Sequence, residues 1–234
     1  MPITSPHNES LKEVRKLAGR RWRDKKRSFV AEGEDLIDAA SAAGWTPELL
    51  LCEAGSGLAG EEVAPHLFKQ VSQLGSGTRA LAVYPQRWAR APAGPVCVAL
   101  WGVNDPGNVG AVLRSALAFG AGSVALGPGS ADPYGSKAVR ASMGAIFAVP
   151  VVRVTSVAEL PGRTVALAAR AGRPLAELQH EEVTLVVGAE REGLPAEVVS
   201  ACDEATHIPI RSESLNAAMA AAIGLYEVTR VARA

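Results

Sequence analysis

Three short segments of the 234-residue chain carry residue types that could hold a ligand and act on it. NDPGNVGAVLR (104–114) contains Asn108 and, six positions on, Arg114. GAEREGLP (188–195) contains Gly188, Glu190 and Gly193. IPIRSESLN (208–216) contains Ile208, Ile210, Ser214, Leu215 and Asn216. Glycine and proline let a backbone bend close to a ligand. Asparagine and serine orient it through uncharged hydrogen bonds, and arginine offers a planar cationic fork for a phosphate or a developing oxyanion. Each segment also leads into a helical pattern, and helix starts present unpaired N–H groups. Taken singly, each has an ordinary reading: Asn108 as a turn residue, Ser214 as a helix N-cap, Glu190 as a structural carboxylate.

The elements that must position these loops alternate. VCVALWG (96–102), SVALG (123–127), VPVVRV, TVALAAR (164–170), VTLVVGAE (183–190) and THIPI (206–210) read as strands. Between them, NVGAVLRSALAFG (108–120), SKAVRASMGA and PAEVVSACD read as helices, the first with Val109, Val112, Leu113, Ala116 and Leu117 on one face. Such alternation predicts an α/β domain with a parallel sheet covered on both faces, and ligands then bind at the strands' C-terminal ends. All three segments fall there. A last helix follows Asn216, rich in alanine, with Leu215, Met219, Ile223 and Tyr226 spaced as one buried face.

The first third of the chain is different. YPQRWARAPAGP (84–95) breaks the pattern with three prolines, a glycine and two arginines, and reads as a linker. Before it, residues 11–27 and FVAEGEDLIDAASAAG (29–44) read as helices, the second carrying Leu36, Ile37 and Ala40; PELLLCE and RALAVY read as strands. The expected division is residues 1–86, a linker over 87–95, and residues 96–234.

The chain is neutral overall, but residues 11–28 hold nine basic residues against Glu13 and Asp24. That local surplus of seven positive charges is balanced by seven negative ones elsewhere. Such asymmetry points to a nucleic-acid contact, with a solvated basic helix face as the plain alternative. Arg20, Arg21, Lys25 and Lys26 are its candidate nucleic-acid contacts. No apolar run is long enough for a membrane span, and the start lacks the apolar core of a signal peptide. Three scattered cysteines and four scattered histidines offer neither a disulfide framework nor a metal-ligand spacing, so no metal and a cytosolic location are expected.

In their order and spacing the three segments resemble the motifs of the SpoU-type RNA ribose methyltransferases of the knotted SPOUT superfamily. Asn108 and Arg114 match motif one. Gly188, Glu190, Gly193 and Leu194 match motif two. Ile208, Pro209, Ser214, Leu215 and Asn216 match motif three. The resemblance covers residue 96 to the end, and the basic region with FVAEGEDLI is similar to the small L30e-like RNA-binding domain that often precedes this catalytic domain. It implies a C-terminal segment threaded into a trefoil knot, a homodimer through the knotted domain, S-adenosylmethionine as methyl donor, and a ribose 2′-hydroxyl as acceptor. Asn108, Arg114, Glu190, Ser214 and Asn216 then become the catalytic candidates. Gly188, Glu190, Gly193, Ile208, Ile210, Leu215 and Asn216 become the cofactor contacts. Only four residues separate Ile208-Pro209 from Ser214, a shorter loop than many relatives have.

GPGSADPYGSKAVR lacks the spacing of a phosphate-binding P-loop, and no Rossmann glycine fingerprint follows the first strand of the second part. The segment reads instead as a substrate-facing loop, with Lys137 and Arg140 available to RNA phosphates. Ribosomal RNA is the expected target, because an added basic domain suits a large structured RNA. Transfer RNA, or a catalytically inactive RNA-binding relative, are the alternatives.

Overall fold

The computed structural model describes residues 1–73, 77–178, 181–189 and 191–231. The first third forms α1 (Glu9–Leu17), α2 (Arg20–Lys26), β1 (Ser28–Glu32), α3 (Glu34–Ala42), β2 (Leu49–Glu53), β3 (Glu61–Val63), α4 (Pro65–Val71) and β4 (Ala80–Pro85). Its sheet runs β1-β4-β2-β3, with β4 antiparallel to both neighbours and β3 parallel to β2. The one helix expected over 11–27 is two. The Asn8 side chain caps the first, accepting from Ser10 and Leu11; the second starts at Gly19, a residue that favours breaks. FVAE is a strand and not the start of a helix. All five residues of β1 are buried, and pairing with β4 overrides the local helical pattern. The helix begins only after Gly33, whose φ of 112° excludes residues with a side chain.

The remainder forms β5 (Val96–Trp101), α5 (Pro106–Phe119), β6 (Ser123–Leu126), α6 (Ser136–Ala141), α7 (Ala145–Ala148), β7 (Val151–Arg153), β8 (Arg163–Leu167), β9 (Arg173–Pro174), β10 (Val183–Gly188), α8 (Ala196–Ala201), β11 (Glu204–His207) and α9 (Ala217–Val231). The sheet order is β7-β6-β5-β10-β8-β11-β9, and every pairing is parallel. The central strands β5 and β10 are buried along their whole length, because helices cover both faces. The expected α/β architecture is therefore present. Among the described residues, no helix is long and apolar enough to cross a membrane.

The two sheets share a core. Leu11, Val14, Leu17, Leu67, Phe68 and Leu81 close one face of the first sheet. On the other face, Phe29, Trp45 and Tyr84 meet Tyr134 and Phe147 of the second part. Ring centroids there lie 4.7 Å apart for Phe29–Tyr134 and 5.1 Å for Tyr84–Phe147, and the Trp45 indole N–H donates to the Phe147 carbonyl at 2.8 Å. An ion pair reinforces this junction. Arg23, one of the nine basic residues, is buried, with its Nε 2.9 Å and Nη2 2.8 Å from Asp132 Oδ2. Its Nη1 donates to the Leu17 and Ala18 carbonyls.

The last helix corrects the sequence reading. Ala217, Ala218, Ala221, Leu225 and Val228 are buried, packed against α5, β5 and β10. A β-carbon on Gly224 would stand 2.9 Å from the Leu185 side chain. The alanines face inward because the helix lies so close to its neighbours. Within one chain the stripe read as a buried face, which the resemblance assigns to a dimer interface, looks outward: Met219, Ile223 and Tyr226 are 64%, 39% and 51% exposed, and Leu215 is half-buried. Leu117, expected on the inner face of α5, is also exposed.

Candidate active site

The first segment leaves the end of β5 and becomes α5. Asp105 caps that helix, its Oδ1 accepting from the backbone of Gly107 at 2.6 Å and Asn108 at 3.3 Å. Pro106 takes the first helical position, where a missing N–H costs nothing. Lys137 Nζ sits 3.0 Å from Asp105 Oδ2. That hydrogen bond, with the two backbone donors, holds the Asp105 carboxyl below the usual carboxylate range. Lys137 therefore braces the first segment instead of standing free. A β-carbon on Gly110 would meet the Ala138 carbonyl at 2.3 Å, so α5 and α6 touch backbone to backbone. Arg114 lies about 9 Å beyond Asn108 along the helix axis. It is exposed and, among the described residues, has no hydrogen-bond or ion-pair partner.

The third segment begins where β11 ends, at His207 and not at Ile210 as the apolar run suggested. Asn216 is the residue that caps α9, its Oδ1 accepting from Ala218 at 3.0 Å and Met219 at 3.3 Å; Ser214 is exposed and does not cap. The other end of the same amide donates from Nδ2 to Asn108 Oδ1 at 3.0 Å. One side chain thus ties the first segment to the third. Further along, Phe119 and Tyr226 meet edge to face at 6.2 Å, so α5 and α9 lie side by side and run the same way.

The second segment folds back on itself. Ala189 and Gly193 exchange backbone hydrogen bonds of 3.2 and 3.0 Å, and Gly193 takes a φ of 69°. A β-carbon on Gly188 would stand 2.3 Å from the Gly193 backbone, so only glycine fits. Glu190 lies outside the described residues.

The second and third segments, with residues 167–169, line a cavity of about 360 Å³ whose wall includes Gly188, Gly193, Ile208, Ile210, Ser214 and Leu215. The cofactor candidates thus converge, except Glu190, which is not described, and Asn216, which stands between two lining residues, Leu215 and Ala217. Neither Asn108 nor Arg114 reaches the wall. An adjoining cavity of about 660 Å³ shares Ala169, Ile208 and Ile210 and adds Arg170, His207 and Arg211. At the end of β11 the Thr206 Oγ1 and His207 Nδ1 atoms are buried without a hydrogen-bond partner among the described residues. Sequence reasoning missed Asp105, although an Asp-Pro pair before a helical run is a start signal. It also missed Leu167 and Ala168, which enter the wall only because β8 pairs beside β10. Cys202 offers no thiolate nucleophile: burial, with Asp203 nearby, pushes its thiol up to about 11. Burial raises the Cys97 thiol as well. Of the predicted RNA contacts, Arg20, Arg21, Lys25 and Lys26 lie exposed on α2, and Arg140 is exposed on α6.

The SpoU rRNA Methylase family model matches residues 95–226, and the MRM3-like substrate binding domain model matches residues 8–83. The chain is 30% identical over 243 residues to the Bacillus subtilis 23S rRNA (guanosine(2553)-2'-O)-methyltransferase RlmP, covering 97% of this chain and 98% of that protein. Among solved structures it is similar to the AdoMet-bound rRNA methyltransferase from Sinorhizobium meliloti, with a TM-score of 0.86 at 30% identity over 98% of this chain and 97% of the other. It also matches the SpoU methyltransferase AviRb from Streptomyces viridochromogenes in complex with AdoMet, with a TM-score of 0.85 at 27% identity over 96% and 98%. The second and third segments lining one cavity at the C-terminal ends of a parallel sheet, the Asn216–Asn108 tie to the first segment, and a family model spanning more than half of the sequence lead to one assignment: this chain belongs to the SpoU rRNA Methylase family.

Proposed function

We propose that the chain transfers a methyl group from S-adenosylmethionine to a ribose 2′-hydroxyl of ribosomal RNA. The observation that carries this reading is the cavity of about 360 Å³ with the Asn216–Asn108 hydrogen bond beside it. Its walls fit the donor. Apolar Leu167, Ile208, Ile210 and Leu215 suit an adenine ring, and the glycines at 188 and 193 leave backbone polar groups in the wall uncovered by side chains. Bound there, S-adenosylmethionine supplies a methyl group on a sulfonium, whose leaving group departs neutral. Asn216 fixes the turn from the cavity wall into α9, and through Asn108 it orients the start of α5. Ser214, exposed at the rim, is placed to position the ribose. Arg114 clamps the RNA phosphate and stabilises the developing alkoxide. Holding both reactants in line contributes on the order of 7–11 kcal/mol. The role of Glu190, whether toward Arg114 or toward a backbone amide, belongs to the same reading.

Residues 1–86 would serve RNA binding, through Arg20, Arg21, Lys25 and Lys26, with Lys137 and Arg140 on the catalytic side; 87–95 link this part to the catalytic residues 96–234. The knotted path is supported by β10 lying between β5 and β8 while 208–216 crosses beside the 188–194 loop. The described cysteines are unpaired, in keeping with the cytosol.

Asn216→Ala tests the site. It should weaken donor binding about tenfold, slow methyl transfer, and cost about 1 kcal/mol of stability for the lost cap. Calorimetric titration with S-adenosylmethionine, beside mapping of 2′-O-methyl positions in ribosomal RNA, reads the outcome. A wild type that does not bind the donor overturns the proposal.

A homodimer belongs to the same reading. Leu117, Met219, Ile223 and Tyr226 form an exposed apolar surface on α5 and α9, and Arg114 lies one turn before Leu117. Patches of this kind mark interfaces, and twofold pairs are the commonest oligomers. Light scattering at micromolar concentration should give twice the chain mass; the mass of one chain would rule the dimer out.

A further inference from the structure

A second groove lies at the C-terminal ends of β6 and β7, where the two parts of the chain meet. It is a cavity of about 250 Å³ lined by Arg20, Trp88, Arg153, Thr155 and the loop 126–133. A neighbouring cavity of about 200 Å³ shares Trp88 and Arg153 and adds Arg27. We infer that this groove binds one unpaired nucleotide of the RNA substrate, with its base stacked on the Arg153–Trp88 pair and its flanking phosphates on Arg20 and Arg27. The inference rests on the methyltransferase reading for the identity of the polymer, but on its own residues for the site.

Trp88 is held rigidly. Its indole N–H donates to Gln86 Oε1 at 3.0 Å, and Tyr134 meets it edge to face at 5.1 Å. The Arg153 guanidinium lies over the ring, 4.2 Å from its centroid. Arg153 nevertheless keeps 48% of its side chain in solvent. A guanidinium supported on an aromatic ring is a flat, cationic surface, and unpaired bases stack on both aromatic and guanidinium planes. The groove carries a net positive charge. Against Arg20, Arg27 and Arg153 stands the exposed carboxylate of Asp24, which Arg20 and Arg153 share at 3.7 and 3.4 Å. The other carboxylate in the wall, Asp132, is consumed by Arg23.

Arg27 adds an independent sign. Its φ of 57° puts it in the left-handed region at the end of α2, where glycine is the usual residue. The turn itself closes α2, the Arg27 N–H donating to the Arg23 carbonyl and the Arg27 carbonyl accepting from the Gln86 N–H. An arginine there costs stability relative to glycine, and a phosphate contact is what its side chain would add. The location also fits. The Gly102 N–H donates to the Pro128 carbonyl at 3.0 Å and Ala131 N–H to Val103 at 2.9 Å, so the groove's loop rests on the turn that leads to Asn108. Strand β6 stands two places from β10, roughly 10 Å along the same sheet edge. An RNA strand crossing from α2 toward the donor cavity passes over the groove.

The test uses the full chain and a 12-residue oligoadenylate carrying one 2-aminopurine. Stacking should quench the probe on binding wild-type protein. Arg153→Ala should abolish the quench and weaken binding roughly ten- to a hundredfold, the size of one lost stack. Arg27→Gly should weaken binding while leaving Tm unchanged or higher, since relieved backbone strain offsets glycine's added chain freedom. Unchanged affinity and quench in Arg153→Ala overturn the inference. So does a fall in Tm with affinity intact, which would make Arg153 only a tie between the two parts. Calorimetric binding of S-adenosylmethionine to the same preparations separates the two readings: its absence from wild type fails the methyltransferase reading, whereas its presence beside unchanged oligonucleotide affinity fails the groove alone.

Discussion

Arg114→Ala should lower the rate of methyl transfer by about 10²–10³ and leave S-adenosylmethionine affinity nearly unchanged. The expectation follows from position. Arg114 is exposed on α5 and stands away from the donor cavity, so its loss removes no donor contact. Among the described residues it is tied to nothing, so its loss also breaks no structural bond. What remains is a cation available to the substrate, strongest where charge develops in the transition state. A guanidinium does not give up its proton in a protein, so on the proposed reading its work is to clamp phosphate and stabilise the alkoxide. Arg114→Lys should recover little, because a point charge cannot reproduce the planar fork. Single-turnover transfer and donor calorimetry on each variant read the result. Near-normal turnover in Arg114→Ala, or failure through lost donor binding, would refute this role.

The largest loss of stability is expected at Arg23. Its guanidinium and Asp132 are both buried, and the pair spans the two parts of the chain. Both carboxylate oxygens are engaged, since Asp132 Oδ1 also accepts from the Tyr134 backbone. Removing the arginine leaves a buried carboxylate without its cation and two carbonyls without their donor. Breaking such a pair costs about 3–5 kcal/mol, or roughly 10 °C in Tm for a chain of this size. Arg23→Leu combined with Asp132→Leu should recover much of the loss, because an apolar pair has no charge to desolvate. Chemical denaturation of the two single variants and the double decides it. A cost below about 1 kcal/mol for Arg23→Ala would mean that solvent reaches the pair.

The parallel sheet was legible because β5 and β10 are uninterrupted apolar runs, which only a doubly covered sheet produces. Gly188, Ile208 and Leu215 were matched as cofactor contacts through the family resemblance, and they line one cavity because residues 187–194 and 208–217 come together in the fold. Long-range choices were not legible. Phe29 and Val30 form a strand because β4 pairs with them, more than fifty residues away in a register no local pattern reports. Arg23 looks like its basic neighbours in sequence, and only the position of Asp132 buries it. The Met219, Ile223 and Tyr226 spacing correctly gave one face of a helix, but spacing does not say which face turns inward; Gly224 and the alanines decide that by allowing closer approach.

The aromatic seam between the two sheets has a consequence for target choice. Phe29, Trp45 and Tyr84 interlock with Tyr134 and Phe147, and an apolar junction of this kind suppresses the hinge motion expected of loosely joined units. On the proposed reading, the part that grips RNA and the part that modifies it are one solid body. The span from gripped element to methylated ribose is then a fixed length, and the molecule works as a gauge: it selects its nucleotide by distance from a landmark in the folded RNA, so that recognising the base itself is unnecessary.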